Sequence, residues 1–140
     1  MTQNAKQTSP LPVLSRRNGE ADFKSDGLRS YARYRDLGID QATGGAVKAH
    51  VIRMVEPCSE KVRERHMHKL DCQFFYVLKG WMKLEFEGYG EVTVNEGDCM
   101  YMPPGIKHTV LDYSLGLENL EVLIPAEFET IPVEPAVKAG

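Results

Sequence analysis

The sequence predicts an all-β protein, an antiparallel sandwich or barrel, and three observations carry that reading. From His50 onward the chain divides into runs of five to nine residues: "AHVIRMVE", "CQFFYVLKG", "WMKLEFEG", "EVTVN", "DCMYMP", "HTVLDYS" and "NLEVLIP". Each run ends at a glycine, proline, asparagine or acidic turn, as short strands do. Within "WMKLEFEG", Met82, Leu84 and Phe86 alternate with Lys83, Glu85 and Glu87, the period of a strand with one buried face. No stretch has the length and periodicity of a long helix, so the strands must pack on one another.

The elements follow in order. Residues 1–22 are polar and carry Pro10 and Pro12, and they read as a flexible N-terminal arm. A barrel domain is expected over 23–130. It opens with "LRSYARYRDLGID", a short strand with an irregular continuation, and "TGG" at 43–45 is a turn. The glycine-rich "EGYGE" at 87–91 closes one hairpin and "NEGD" at 95–98 makes another turn. Residues 131–140 form a proline-spaced tail with little to pack.

Composition narrows the function. A chain of 140 residues with 42% apolar and 26% charged residues is one globular domain with a core of its own. A net charge of −3 supplies no basic stripe for nucleic acid. No apolar run is long enough for a membrane span, and the N-terminus lacks the apolar centre of a secretory signal. Cys58, Cys72 and Cys99 are an odd set without Cys-x-x-Cys spacing. They argue against a disulfide framework and a thiolate zinc site, and for a reducing, cytoplasmic setting.

Chemistry concentrates in two stretches. Side chains two apart on a strand share a face, so His66 and His68 of "HMHKLDCQ" can point into a barrel together. His108 follows the turn of "PPGIKH", and antiparallel pairing can return it beside that pair. Three imidazoles leave one side of a metal open to water or substrate, as catalytic centres do. A lone His-x-His is weak evidence, but the spacings around it are more specific. The first stretch reads His-x-His, four residues, a ligand position, six residues, glycine: His66, His68, Gln73, Gly80. The second reads glycine, five residues, Pro-x-Gly, two residues, histidine: Gly97, Pro103, Gly105, His108.

These two motifs resemble those of the cupin superfamily, and the likeness runs from about His50 to Pro125. It implies the double-stranded β-helix, or jelly-roll barrel, of the RmlC-like cupins, commonly dimeric. It also implies a divalent metal in the barrel mouth, held by His66, His68 and His108. Three positions depart from the pattern. Glu60 and Asp112 stand where a glycine and an asparagine are usual, and Gln73 stands where the ligand glutamate is expected. Cys72 and then Asp71 are the alternatives to Gln73, and neither fits its spacing to Gly80.

A carboxamide oxygen at position 73 is a neutral, weaker ligand than a carboxylate. The metal's charge would be left uncompensated, which favours anionic ligands in the open positions. A Gln73→Glu change would then be expected to tighten metal retention. Iron, manganese, nickel and zinc all suit such a site. Phe75 is expected in the pocket by strand parity from Gln73, Tyr101 as a pocket wall, and Arg53 as an inward cation for a substrate carboxylate. His50 belongs to neither motif and reads as structural.

The resemblance implies metal-dependent chemistry on a small anionic molecule, by a dioxygenase or an isomerase or decarboxylase. The alternative is a non-catalytic barrel that binds a small ligand as a sensor. A homodimer is expected, and residues 24–46 could build it by adding a strand to a partner's sheet.

Overall fold

A computed structural model describes residues 7–25 and 29–136. After a short 3-10 turn at Glu20–Asp22 come β1 (Ala32–Asp36) and a single helical turn, α1 (Ile39–Ala42). The rest is strand: β2 (Lys48–Met54), β3 (His66–Lys69), β4 (Cys72–Lys79), β5 (Trp81–Phe86), β6 (Gly90–Asn95), β7 (Cys99–Met102), β8 (His108–Tyr113), β9 (Glu118–Ile124) and β10 (Glu129–Pro132). Among the described residues no helix is long and apolar enough to cross a membrane.

The strands form two five-stranded antiparallel sheets, β1-β2-β9-β4-β7 and β10-β3-β8-β5-β6. This is the jelly-roll arrangement. The expected alternation holds along β4 and β5. Met82, Leu84 and Phe86 on β5 are buried, and so are Phe75 and Val77 on β4. They meet Val94, Met102 and Leu117 between the sheets. Full burial of each such side chain is worth about 1.5–3 kcal/mol, and this packing holds the sheets face to face.

The segment before the barrel stays with its own chain. β1 pairs antiparallel with β2, Ala32 opposite Met54 and Asp36 opposite His50, and Lys24 makes one further bridge to Tyr34. This segment therefore forms the edge strand of its own sheet. The arm is also tied down. The Ser9 amide donates to the Ala42 carbonyl, Arg35 donates to the Ser15 carbonyl, and Arg53 lies 3.8 Å over the Phe23 ring.

Gly80 marks the corner where the chain leaves one sheet for the other, between β4 and β5. Its φ of +83° disfavours any L side chain, and a Cβ there would lie 2.2 Å from Ser114 Oγ. That hydroxyl accepts the Trp81 amide hydrogen at 2.9 Å, so it cannot swing away without losing a bond. Gly88 has a similar φ, +74°, with nothing within 4 Å. Gly80→Ala is expected to lose about 1–3 kcal/mol from backbone strain plus the lost Ser114 contact, and Gly88→Ala the strain alone. Urea unfolding of the two variants measures the difference, and equal losses would show that Ser114 yields freely.

Candidate metal centre

Strand register assembles the site. His66 on β3 lies directly opposite His108 on β8, and His68 follows two residues along the same face. One ring nitrogen from each lies within 4.8 Å of the other two. The ring centroids of His66 and His108 are 4.3 Å apart, and those of His66 and His68 are 4.8 Å apart.

Which nitrogen faces the common point follows from the others' bonds. His66 Nδ1 donates to the Glu64 carbonyl at 2.8 Å and His108 Nδ1 to the Ile106 carbonyl at 3.0 Å. A carbonyl only accepts, so both Nδ1 atoms carry the proton and both Nε2 atoms keep a lone pair. His68 Nδ1 is held by the Thr130 hydroxyl at 2.8 Å. Such outer bonds orient metal-ligating imidazoles and set their tautomer.

The rings are also kept uncharged. Phe86 stacks on His108 and Phe128 meets His68 edge-on. Burial lowers the His66 pKa, and it is the main reason those of His68 and His108 fall to about 4, aided by the neighbouring imidazoles. Neutral imidazoles converging on one point, two of them with a free Nε2, suit a divalent metal, so the residues fit the group the fold implies.

A staple on the opposite face braces two of these strands. Arg65, next to His66, grips Glu85 on β5 through two bonds of 3.0 and 2.9 Å. Thr109, next to His108, donates to the same carboxylate at 3.2 Å. The two backbones that carry His66 and His108 are thus joined through Glu85.

The triad opens into a cavity of about 540 Å³ between the sheets, within the range of small-molecule sites. Gln73 and Phe75 line it, as parity predicts. Cys72 and Asp71 do not line it, so of the three candidates for the ligand position only Gln73 borders the cavity. Tyr101 and Arg53 lie elsewhere. Tyr101 pairs with Phe74, whereas its neighbour Met102 pairs with the inward Gln73; Tyr101 therefore faces outward and is 56% exposed. On β2 the inward residues are His50, Ile52 and Met54. Arg53 consequently points out, where it bonds Glu118 at 3.0 Å and pairs with Glu20.

Two cavity residues were not singled out in the sequence reading. His50, taken as structural, lines the cavity, and Glu121 on β9 lies beside it. Glu121 accepts a bond from Gln73 Nε2 at 2.9 Å, and its other oxygen is 2.9 Å from His50 Nε2. Neither residue belongs to a motif, and only inward parity on the β2 and β9 runs could have marked them. The finding also changes the expectation for Gln73→Glu. A carboxylate at 73 would meet Glu121 at hydrogen-bond distance, and one of the pair would have to hold a proton.

The chain is thus a jelly-roll barrel in which three convergent, uncharged histidines placed to hold a metal ion face an open cavity. A family model, the cupin domain, matches residues 53–123, and the chain belongs to the cupin family. No curated protein sequence matches. Among solved structures, KdgF from Halomonas sp. is 18% identical, with 79% of this chain and 93% of that one covered and a TM-score of 0.62. The polyketide cyclase RemF from Streptomyces resistomycificus is 19% identical, with 86% and 87% covered and a TM-score of 0.63. Salicylate 1,2-dioxygenase from Pseudaminobacter salicylatoxidans is 10% identical, with a TM-score of 0.59. It is matched over 75% of this chain, which spans 31% of that protein. At these identities the likeness concerns the fold.

Burial of neutral histidines makes the metal-free protein acid-sensitive. In the unfolded chain these rings titrate near 6.5, and in the fold His68 and His108 titrate near 4. Between those values the unfolded chain binds more protons, so stability is full above pH 6.5 and declines as pH falls toward 4. Urea midpoints measured from pH 7 down to pH 5, above the ordinary carboxylate range, should fall, and His108→Asn should flatten the decline. A flat wild-type profile would contradict the burial of uncharged rings.

Proposed function

We propose that this protein is a metal-dependent enzyme acting on a small anionic organic molecule, with His66, His68 and His108 as metal ligands and the Gln73 carboxamide oxygen as a fourth. The observation that carries this reading is a cluster of uncharged donors facing a cavity with cations in its wall. Arg29, Lys48 and Lys61 line the cavity, against the acidic Glu64 and Glu121. The charge of Arg29 contributes to the lowered pKa of His66 and of His68, so it acts at the triad itself. A divalent ion held there (iron, manganese, nickel or zinc) would polarise a substrate oxygen and stabilise negative charge developing on it.

The chain's own residues do the remainder. Phe75, Met82, Leu84 and Leu123 give the cavity an apolar wall against which a carbon skeleton packs, and the cations hold an anionic group. Isomerisation or decarboxylation through an enolate suits an uncharged ligand set, because that set leaves the metal's charge for the substrate. Oxygen insertion by a dioxygenase is the second reaction to test. Elemental analysis separates the cases when combined with oxygen uptake on phenols and 1,3-dicarbonyl compounds and with anaerobic turnover of β-keto and 2-keto acids. Anaerobic turnover supports the isomerase or decarboxylase. Stoichiometric iron with oxygen uptake supports the dioxygenase. Firm metal without turnover of any class supports a sensor instead.

His108→Ala is expected to retain less than about a tenth of the wild-type metal, consistent with the 10–100-fold sensitivity of such shells, and Gln73→Ala to retain at least as much as His108→Ala. Metal content by mass spectrometry decides; a full site in His108→Ala with an empty one in Gln73→Ala would reverse the ligand assignment.

A homodimer forms part of this proposal. The outer face of β4, β7 and β9 carries Phe74, Tyr76, Tyr101, Leu120 and Val122 in adjacent register, and Tyr76 is 41% exposed. A patch of that kind suits a self-complementary contact between two copies. Three free thiols favour a cytoplasmic setting. Tyr76→Glu with Tyr101→Lys should convert the dimer to monomer in sedimentation velocity, and an unaltered monomeric wild type would remove this part of the proposal.

A further inference from the structure

Glu121 sits in the middle of a chain of three buried polar groups contributed by three adjacent strands. In register it lies opposite His50 on β2 and opposite Phe75 on β4, two residues from Gln73 on the same inward face. Gln73 is 3% exposed and His50 7%, and the Glu121 side chain is 18% exposed. An ionised carboxylate only accepts hydrogen bonds, so both neighbours must turn a donor toward it. His50 supplies Nε2 and Gln73 supplies Nε2, each at 2.9 Å.

This requirement fixes the carboxamide. With its nitrogen committed to Glu121, the Gln73 oxygen must point the other way. Among the described residues nothing donates to that oxygen, and no sealed side-chain oxygen or nitrogen lacks a partner. The oxygen therefore borders the cavity that also receives the three imidazoles.

We infer that Glu121 is the positioning residue of the metal centre: through Gln73 Nε2 it turns the carboxamide oxygen toward His66, His68 and His108. The inference rests on the proposed ligand set and adds a residue that neither motif contains. His50 completes the arrangement by holding the second carboxylate oxygen, so that Glu121 cannot rotate away from Gln73. A purely structural Glu121 would affect the unfolding midpoint and leave metal affinity alone.

Zinc titration by calorimetry on the metal-stripped protein, alongside thermal melts, tests this. Glu121→Gln is expected to weaken zinc binding about 10–100-fold, the usual effect of losing an outer partner. Gln73→Ala with Glu121→Gln should bind no more weakly than Gln73→Ala alone, because Glu121 acts through Gln73. The exchange Gln73→Glu with Glu121→Gln rebuilds the same bond with its roles reversed and should recover at least wild-type affinity. It serves as the test if Glu121→Gln alone does not fold. Wild-type affinity in Glu121→Gln, additive losses in the double variant, or an exchange that fails to recover would each overturn the inference. Failure of the unaltered protein to take up zinc would overturn the ligand set first, and that result is read before any variant.

Discussion

Keeping three imidazoles uncharged and aimed at one point is the constraint on which the rest of this barrel depends. Two backbone carbonyls and a threonine hydroxyl take the Nδ1 side of the rings, and apolar rings cover them. Burial then makes a proton costly on any of the three. A group that loses its proton affinity in this way keeps a lone pair at neutral pH, which is the condition for holding a metal. The Arg65–Glu85–Thr109 staple serves the same end from outside, joining the backbones beside His66 and His108.

The second theme is the placement of charge. The triad and Gln73 are all neutral, and of the carboxylates that line the cavity, Glu64 and Glu121, the latter is bonded to the Gln73 amide. A metal in such a shell keeps more of its charge for a substrate than one bound directly by a carboxylate. Arg29, Lys48 and Lys61 in the cavity wall point to the same substrate class. Cations in the wall and an uncharged shell both favour an anion, and this agreement between separate parts of the cavity is the physical basis for the proposed chemistry.

Strand parity links the inner and outer surfaces. A shift of one residue exchanges a cavity wall for an outer face, as the neighbours Tyr101 and Met102 illustrate. The same rule places His50 inside and Arg53 outside on β2. The outward Arg53 is not idle, since its contacts with Glu20, Glu118 and Phe23 fasten the N-terminal segment to the barrel.

Much of the fold and half of the site were legible in the sequence. Short alternating runs closed by turn residues determined the strands, because the two-residue period is a local property of the backbone. The spacings that end at Gly80 and at His108 determined which histidines belong together, since each motif spans only two strands consecutive in the chain. Inward-facing Phe75 followed from parity with Gln73 in a single strand. The roles of His50, Glu121, Arg53 and Tyr101 were not legible. Each depends on which strand lies beside which: β2 against β9, β9 against β4, β4 against β7. Sheet neighbours distant along the chain are chosen by packing between the sheets, which no local period encodes. Tertiary structure alone therefore decided that a carboxylate from position 121, some fifty residues further along the chain, lies at hydrogen-bond distance from Gln73.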